Sequence, residues 1–396
     1  MKGKEIILGV TGGIAAYKSV ELLRLLTKAG ANVHVIMTEG AMKFVTPLTF
    51  QTLSMNPVST SLFNLLSERE IGHISLADRA DLLIIAPATA NIVGKLANGI
   101  ADDMLSTTAM ATKAPIMIAP AMNVNMYQSQ AYKENEERLK GRGVLFVDPI
   151  KGTLACGWEG EGKLQEPRVI FEEVLAALSK KDLAGERLLV TAGPTREEID
   201  PVRFISNHSS GRMGYAIASA ARRRGAEVTL VTGPTSIHKP FGIKVMPVVS
   251  AREMLEAVMS LADQSTIIIK GAAVADYRPA DRAGNKIKKS ASSMTLELVR
   301  NPDILGELGK VKGDRLLVGF AAETADLLKN ARKKLKEKNL DMIVANDVSQ
   351  PGAGFYGDTN IARLLFRDGS LTELPLMTKD ELADVILDRI VELRKG

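Results

Sequence analysis

The chain contains two copies of one local pattern, in which an apolar strand runs into a glycine turn at the start of a helix. The first copy occupies residues 6–18 and the second begins at residues 188–195. Such turns leave backbone N–H groups beside a helix start, where phosphate binds. Because the two copies are too far apart in the chain to serve one ligand, they predict two nucleotide-type sites and two reactions.

A chain of 396 residues is too long for one ordinary core and predicts two domains of roughly 200 residues each. The charged segment 180–185 is predicted to be an exposed linker. We therefore predict domains at residues 1–184 and 185–396.

Both halves alternate short apolar segments with helical patterns, which predicts an α/β fold with two doubly wound, mostly parallel-sheet, Rossmann-like domains. The predicted strands of the first half are 5–10, 32–37, 81–86, 115–119 and 143–147. Those of the second half are 187–191, 226–231, 243–246, 265–269, 315–320 and 340–346, followed by a late β segment at 361–366. The glycine-rich segment 148–167 is predicted to be an irregular loop.

Composition excludes several classes of function. Aromatic residues make up 4% of the chain and no basic segment is interleaved with them, so a nucleic-acid channel is not expected. No apolar run approaches the roughly 20 residues of a membrane span, and no secretion signal precedes the first strand. A single cysteine and a net charge of +5 fit a cytoplasmic protein that acts on small anionic molecules.

The first glycine turn lacks the full G-x-G-x-x-G spacing of dinucleotide sites. The second predicted strand ends near Thr38 and the third near Thr89 and Asn91, so hydroxyl and amide groups lie at neighbouring strand ends. These polar groups predict one ligand at the carboxyl edge of the sheet, a mononucleotide rather than a dinucleotide.

Three further residues of the first half are candidates for chemistry. His73 is either a base, a carboxylate-binding residue or an ordinary surface histidine. Asn123 follows a predicted strand end, which favours a binding loop. Cys156 is either an inert core thiol or, given the glycines around it, an exposed and mobile one.

In the second half, residues 209–211 are predicted to cap a helix and form an anion site at its start. Asp276 follows an apolar strand and is placed to hold a divalent metal that bridges phosphates. Lys286 and its lysine neighbours come shortly after it and provide point charges for a polyphosphate. Lys334 and Lys338 lie one helical turn apart, although spacing alone does not distinguish them from the other lysines of that helix.

The first half resembles the family of flavin-dependent cysteine decarboxylases that act on phosphopantothenoylcysteine. The second half resembles phosphopantothenate–cysteine ligases, and together the two resemblances cover nearly the whole chain in the order of the bifunctional coenzyme A biosynthesis proteins. The motifs that carry the first resemblance lie at residues 12–15, 72–73, 87–91, 120–126 and 155–157. Those that carry the second lie at residues 192–195, 207–211, 273–277, 286–289, 301–304 and 345–347. One departure is Tyr127, where the family usually has Trp.

For the first half, the resemblance implies FMN as cofactor. It also implies oxidation of the cysteinyl thiol to a thioaldehyde, loss of CO₂, and reduction of the resulting enethiol with Cys156 as proton donor. His73 and Asn123 would position the substrate carboxylate and amide. The implied FMN-binding residues are Gly12, Gly13, Ile14, Ala15, Thr38, Pro87, Ala88, Thr89 and Asn91.

For the second half, the resemblance implies activation of the phosphopantothenate carboxylate by CTP as an acyl-cytidylate, which free cysteine then attacks. Asp276 would coordinate Mg²⁺ (or Mn²⁺), Lys286 would bind phosphates and act in catalysis, and Asn207 would contact the intermediate. The implied CTP-binding residues are Lys270, Gly271, Ala272, Asp276, Lys286, Pro302, Asp303, Ile304, Leu305, Phe320, Lys334 and Lys338. The family also implies a homo-oligomer, with trimeric flavoprotein domains and dimeric ligase domains combined in a dodecamer.

Two other hypotheses differ in class. A flavin-binding regulatory protein, similar to phosphatase inhibitors with this fold, would not need His73, Asn123 and Cys156 together with a full set of ligase motifs. An NAD-linked reductase would require a dinucleotide fingerprint and an acidic partner for the ribose, and the Gly12-Gly13 turn provides no such spacing. We therefore expect a bifunctional enzyme.

Overall fold

The computed structural model describes residues 1–62, 72–153, 157–288, 294–323, 327–347 and 357–395. Contacts between residues divide the chain into two compact units, Met1–Ser179 and Lys180–Gly396. The predicted boundary between residues 184 and 185 lies five residues beyond this division.

The first unit is an α/β domain. Its strands are β1 (Glu5–Val10), β2 (Asn32–Met37), β3 (Leu82–Ala88), β4 (Ile116–Pro120), β5 (Leu145–Phe146), β6 (Ile150–Thr153) and β7 (Glu159–Lys163). Its helices are α1 (Ala16–Lys28), α2 (Glu39–Met42), α3 (Pro47–Ser54), α4 (Gly72–Arg79), α5 (Ala90–Asn98), α6 (Met104–Ala111), α7 (Val124–Gln128), α8 (Gln130–Gly141) and α9 (Pro167–Leu178).

Five parallel strands of this unit form one sheet in the order β2-β1-β3-β4-β5. Alternate residues of a strand face opposite sides of a sheet. Ile6 and Leu8 accordingly pack in the core that contains residues of α1 and α9, while Ile7 packs with α5, α6 and α8. Both faces of the sheet are thus covered by helices, which confirms the predicted doubly wound fold.

The segment predicted as an irregular loop at 148–167 contains regular structure instead. Strands β6 and β7 pair antiparallel, with Thr153 opposite Glu159 and Gly152 opposite Gly160. Glycines are normally depleted in strands, and this composition misled the sequence interpretation. Cys156 lies outside the described residues.

The second unit repeats the α/β plan around a larger sheet. Its strands are β8 (Arg187–Ala192), β9 (Arg196–Glu198), β10 (Phe204–Ser206), β11 (Glu227–Thr232), β12 (Lys244–Pro247), β13 (Ile267–Lys270), β14 (Tyr277–Pro279), β15 (Leu298–Arg300), β16 (Leu316–Glu323), β17 (Met342–Asp347), β18 (Thr359–Asn360), β19 (Ala362–Phe366), β20 (Leu371–Glu373) and β21 (Met377–Thr378). Its helices are α10 (Arg212–Arg223), α11 (Ala251–Ala262), α12 (Ile304–Lys310), α13 (Leu327–Glu337) and α14 (Lys379–Lys395).

The main sheet of this unit has the order β12-β11-β8-β13-β16-β17-β19-β20. The first six strands are parallel, and β19 and β20 add antiparallel at one edge. One face packs against α10 and α14, and the other packs against α11, α12 and α13. The strand β8, which carries the second glycine turn, lies inside the parallel part.

The predicted exposed linker at 180–185 is part of the second unit's packing. Leu183 is 1% exposed and belongs to the core between the sheet and α14. Arg224 forms a bidentate ion pair with Asp182, with nitrogen–oxygen distances of 2.8 and 2.7 Å. Residues 180–185 contain no helix or strand and five of the six are exposed, as predicted, but buried Leu183 and the ion pair of Asp182 attach the segment to the second unit.

Candidate functional sites

The first candidate site lies where β1, β2 and β3 end, at the carboxyl edge of the first unit's sheet. The turn at residues 12–15 follows β1, Thr38 follows β2 and Thr89 follows β3. Because these strands are parallel neighbours in the order β2-β1-β3, their ends meet at one edge. The structure thereby brings three of the predicted segments together.

Thr11 joins two of these segments. Its buried hydroxyl donates to the carbonyl oxygen of Pro87 at 2.8 Å and accepts the backbone N–H of Thr89 at 3.0 Å. Thr11 therefore fixes the glycine turn against the end of β3. We did not select Thr11 from the sequence, although a polar residue directly after a fully apolar strand is a usable signal.

The two glycines of the first turn have different surroundings. A Cβ atom on Gly12 would lie 2.7 Å from the backbone carbon of Gly40, whereas a Cβ on Gly13 would have no neighbour closer than Thr89 Cγ2 at 4.0 Å. Gly12 is thus required by close backbone packing, and Gly13 lies on an open side of the turn. No side chain caps the start of α1, which leaves a helix terminus suited to a phosphate group.

The other predicted FMN-binding residues lie at the ends of strands and at the starts of the helices that follow them. The hydroxyl of Thr38 accepts the N–H of Ala41 at 3.3 Å and so begins α2. Pro87 and Ala88 are buried in β3, while Asn91 is exposed in the first turn of α5. Of this group, only Asn91 presents an exposed polar side chain.

Asn123 is positioned by two neighbouring elements. Its side-chain oxygen accepts the N–H of Asn125 at 2.8 Å and so caps α7. The preceding Met122 donates its N–H to the carbonyl oxygen of Gly162 in β7 at 2.9 Å. Strand β7 is therefore anchored next to Asn123, and Cys156 lies outside the described residues.

His73 is the second residue of α4. Its Nδ1 atom is buried and has no hydrogen-bond partner among the described residues. A buried polar atom without a partner is costly and points to a missing ligand or water. This observation favours a binding role for His73 over that of a satisfied surface residue.

Tyr127, which replaces the family's usual Trp, is a core residue. It is 6% exposed, its ring centroid lies 5.3 Å from that of Tyr132, and the Lys133 ammonium lies 3.6 Å from its centroid. Tyr127 thus packs α7 against α8 in the core.

The second candidate site lies at the carboxyl ends of β8 and β13. The hydroxyl of Thr191 accepts the N–H of Ala272 at 3.1 Å, and that of Thr195 accepts the N–H of Ala275 at 3.0 Å. Two buried threonines therefore hold the glycine turn after β8 against the segment that leads from Lys270 to Asp276.

The start of α10 lies within residues 209–211, the segment that was predicted to cap it. The N-cap of α10 is Gly211, with φ of +80° and no side-chain cap, while the hydroxyl of Ser209 accepts the N–H of Gly211 at 3.3 Å. A Cβ on Gly214 would lie 2.6 Å from the Cβ of Ala192. Glycine is used here so that α10 can approach β8 closely, and the serines shape the preceding turn.

Asn207 contacts the segment between Lys270 and Asp276. Its amide nitrogen donates to the carbonyl oxygen of Val274 at 3.0 Å. This bond links the segment before α10 to the Asp276 loop and orients the amide that the sequence predicted to contact an intermediate.

A group of charged residues surrounds Lys270 at the end of β13. Lys338 donates to both carboxylate oxygens of Asp303, at 3.0 and 2.9 Å, and Asp303 also caps α12. Burial, followed by the positive charge of Lys338, lowers the pKa of Lys270 to about 8, while Asp303 and Asp276 oppose this change. The structure thus brings Lys270, Asp276, Asp303 and Lys338 into one electrostatic neighbourhood, which also includes Lys334.

The other predicted nucleotide-binding residues fall into two groups. Gly271 and Phe320 are neighbours, since a Cβ on Gly271 would lie 3.9 Å from the Phe320 ring. Ile304 and Leu305 are buried core residues of α12. Because their side chains pack in the core, only their backbone atoms could contact a nucleotide.

Lys286 is exposed on a loop that is tied down beside it. Asp200 is 1% exposed and accepts the N–H groups of Val202, Arg203 and Ile287, at 2.8, 2.8 and 3.1 Å. Although desolvation opposes its charge, these backbone bonds and Arg203 lower the pKa of Asp200 to about 2. Asp200, which the sequence did not indicate, therefore fixes the loop that presents Lys286.

Asp276 is exposed at the end of the loop after β13. Among the described residues, no group of three or more His, Cys, Asp or Glu side chains could hold a metal ion. A carboxylate by itself suits a Mg²⁺ ion whose other ligands are phosphates and water.

Comparison with known proteins assigns both units. The family described as Flavoprotein matches residues 1–179, and the family described as DNA/pantothenate metabolism flavoprotein C-terminal domain matches residues 183–393. The coenzyme A biosynthesis bifunctional protein CoaBC of Bacillus subtilis is 52% identical over 100% of this chain and 98% of its own length. The protein of that name from Escherichia coli strain K12 is 49% identical over 99% of this chain and 97% of its own length.

A solved structure of the C-terminal domain of a bifunctional CoaBC protein is 47% identical to this chain, with a TM-score of 0.47. The match covers 55% of this chain and 99% of the chain in the solved structure.

Fold, sites and family matches together define a two-domain flavoprotein of pantothenate metabolism. More narrowly, the chain belongs to the family of coenzyme A biosynthesis bifunctional proteins, which confirms the resemblance drawn from its motifs. In the described part of the chain, we find no helix with both the length and the apolar character needed to cross a membrane.

Proposed function

We propose that this chain catalyses two consecutive steps of coenzyme A biosynthesis. The second unit joins 4′-phosphopantothenate to cysteine, and the first unit decarboxylates the product to 4′-phosphopantetheine. The observation that carries this proposal is the match of both units, in one chain and over full length, to bifunctional relatives. The same match favours an enzyme over a flavin-binding regulatory protein.

In the second unit, the phosphopantothenate carboxylate attacks the α-phosphate of CTP, which forms an acyl-cytidylate and releases pyrophosphate. The amine of cysteine then attacks the acyl carbon and releases CMP. The backbone of residues 270–272 and of 302–305 lines the nucleotide, together with Phe320. Asn301 donates to the carbonyl oxygens of Ala275 and Asp276, which supports this placement of residues 302–305 beside the loop after β13. Asn207, held by Val274, contacts the acyl-cytidylate.

Charge stabilisation in this step falls to lysines and a metal. Lys286 balances the charge that develops on the transferring phosphoryl group, and Lys334 and Lys338 bind the phosphates. Asp276, which is exposed, would hold Mg²⁺, and the metal would stabilise the negative charge of the phosphates. The electrostatic neighbourhood around Lys270 supports this assignment.

FMN is the cofactor of the first unit, and the residues of this unit fit such a ligand. Three features would suit a phosphate-bearing ligand and its substrate: the open side of Gly13, the uncapped start of α1, and the Nδ1 of His73, which has no partner in the described part of the chain. FMN, when bound, supplies the two-electron redox chemistry. Thr38, Thr89 and Asn91 line the ligand, along with the backbone of residues 12–15, 87 and 88.

The side chains of this unit handle the substrate. His73 and Asn123 hold its carboxylate and amide, and Cys156 delivers the proton that completes the thiol product. Strand β7 is bonded through Gly162 to Met122, the residue before Asn123.

The partners of this protein are small molecules: 4′-phosphopantothenate, cysteine and CTP. We further propose a cytoplasmic homo-oligomer in which trimers of the first unit combine with dimers of the second. Exposed apolar side chains in each unit, among them Leu48 and Met55 in the first and Val202 and Phe204 in the second, support contacts between subunits.

One incubation tests both reactions. Purified protein is mixed with 4′-phosphopantothenate, cysteine, Mg²⁺ and either CTP or ATP, and pyrophosphate, CO₂ and flavin absorbance are followed. We expect pyrophosphate release with CTP, followed by CO₂. A yellow protein that releases neither product would support the regulatory alternative instead.

A further inference from the structure

A cleft of about 480 Å³ in the second unit is lined by three arginines, and we call it the arginine cleft. Arg252 lies in the first turn of α11, Arg278 lies in β14, and Arg300 is the last residue of β15. Three different elements therefore bring a guanidinium group to one cavity. Glu256, one helical turn after Arg252, is the acidic member of the lining, so three positive charges face one negative charge.

The protein itself does little to neutralise these arginines. Among the described residues, none of the three guanidinium groups forms an ion pair. Arg252 and Arg300 are exposed, and the side chain of neither makes a hydrogen bond within this part of the chain. Guanidinium groups without a carboxylate partner suit a phosphate ligand, because its oxygens accept two parallel N–H bonds from each of them.

Arg278 is held in place by the segment that follows it in the cleft lining. Its Nη1 atom donates to the carbonyl oxygen of Arg300 at 2.6 Å and to the side-chain oxygen of Asn301 at 3.1 Å. These bonds use one of the three guanidinium nitrogens, so the other two remain available as donors. The structure thus orients Arg278 before any ligand binds.

The arginine cleft adjoins the loop that carries Asp276. Asn301, which lines the cleft, donates its backbone N–H to the carbonyl oxygen of Asp276 and its side-chain amide to that of Ala275, both at 2.8 Å. Pro302 lines the cleft as well and belongs to the segment proposed to line CTP. The lining contains none of the lysines proposed to bind the CTP phosphates, so an anion here would lie beside the nucleotide rather than in its place.

We propose that the arginine cleft is a second anion site, which binds the pyrophosphate released by the ligase reaction. Pyrophosphate carries two phosphate groups, and the arginines of α11 and β15 provide a guanidinium group for each. This inference rests on the proposed ligase function, because that reaction is the source of the pyrophosphate. It requires pyrophosphate to bind while CTP occupies the nucleotide site.

The competing explanation is that Arg252 and Arg300 are ordinary solvated surface charges, while Arg278 only fastens β14 to the end of β15. In that case, pyrophosphate would bind only where the phosphates of CTP bind, and saturating CTP would displace it completely. The two explanations therefore differ in the amount of pyrophosphate that stays bound when CTP is saturating.

The experiment is equilibrium dialysis of the full chain against radiolabelled pyrophosphate at a fixed free Mg²⁺ concentration, with and without saturating CTP. Phosphopantothenate is left out so that CTP is not consumed. We expect a single pyrophosphate per chain to stay bound at saturating CTP. The double variant Arg252→Gln/Arg300→Gln should bind this pyrophosphate at least about tenfold more weakly, since two charge-assisted contacts are lost, and should bind CTP normally.

Arg389→Gln is the matched control. Arg389 lies on α14, which packs on the opposite face of the sheet from α11, and its loss should leave pyrophosphate binding unchanged. Inorganic phosphate, tested in the same way, should bind about tenfold more weakly than pyrophosphate, because it engages fewer guanidinium groups. Equal affinities would assign the cleft to single phosphate groups and overturn pyrophosphate as its ligand.

Complete displacement of pyrophosphate by CTP in the wild type would overturn the proposal, as would residual binding that Arg252→Gln/Arg300→Gln leaves intact. If the wild type released no pyrophosphate from CTP in the presence of 4′-phosphopantothenate and cysteine, the proposed ligase function would fail, whereas the dialysis would still decide whether the cleft binds the anion. The two failures are therefore distinguishable.

Discussion

The two glycine turns occupy equivalent places in similar sheets, yet their surroundings differ in charge. Around the first turn the predicted ligand residues are glycine, alanine, isoleucine, proline, threonine and asparagine, and buried Thr11 holds the turn through neutral hydrogen bonds. Around the second, Lys270, Lys334 and Lys338 face Asp276 and Asp303. A single phosphate can be bound by backbone N–H groups at a helix start, whereas a reacting triphosphate requires side-chain cations and a metal.

We infer that the fold and the glycine turn specify where a nucleotide binds, while charged side chains specify which reaction it undergoes. If this inference is correct, each site can be disabled without loss of the other.

The largest effect is expected from Lys286→Gln, because it removes a cation from the transferring phosphoryl group. Ligation should fall by about 10²- to 10³-fold, as for other lost transition-state contacts, while FMN content and CO₂ release from supplied phosphopantothenoylcysteine stay normal. Pyrophosphate release is the measurement. Lys244→Gln is the control, since Lys244 is an exposed lysine of the same unit at the first residue of β12, and a similar loss in it would assign the effect to general charge.

Cys156→Ser should block the last step of the first reaction. CO₂ should still be released, but the enethiol should accumulate because serine is a much weaker acid than cysteine. Mass spectrometry of the product checks this, with ligation as the internal control. Normal formation of the thiol product would contradict the assignment of Cys156.

Asn207→Asp should slow the second half of ligation. The aspartate lacks the amide donor that bonds to Val274 and places a negative charge next to that carbonyl oxygen. We expect the acyl-cytidylate to be consumed about tenfold or more slowly, while its formation is less affected. Rapid-quench measurement of both phases decides, and an unchanged consumption rate counts against a role for Asn207.

Asp200→Asn should loosen the loop of Lys286. The pKa of Asp200 is lowered to about 2, so the carboxylate stabilises the folded loop above pH 4 and loses this effect only as the pH falls towards 2. At neutral pH the loop is therefore anchored, and Asn weakens its bonds to three N–H groups. Hydrogen exchange of residues 283–288 should speed up and ligation should fall, whereas exposed Asp281→Asn should change neither.

The smallest effect is expected from Gly12→Ala, which acts on the first site alone. Its Cβ would lie 2.7 Å from the Gly40 backbone, which predicts a loss of about 1–3 kcal/mol and weaker FMN binding. Gly13→Ala has no such contact and should be better tolerated. Flavin absorbance after gel filtration gives the comparison, and equal FMN loss in both variants would mean that backbone packing is not the cause.

The sequence predicted much of the scaffold because buried parallel strands have a clear apolar signature. Strands β1 and β2 match their predicted bounds, and most others differ by one or two residues. The errors fall where composition and tertiary contact conflict. The glycines of residues 150–163 concealed the β6–β7 hairpin, and the charges of residues 180–185 concealed the buried position of Leu183.

By itself, the sequence determined the two α/β scaffolds and the ligand edge of each, because apolar periodicity and glycine turns are local properties of the chain. Its motifs also identified the family. Only the tertiary structure decided which distant residues hold the predicted ligand-binding segments in place. Thr11 bonds to Pro87 across the sheet, Asp200 bonds to Ile287, and Lys338 bonds to Asp303. These contacts join residues far apart in the chain, so the local sequence around one partner does not indicate the other.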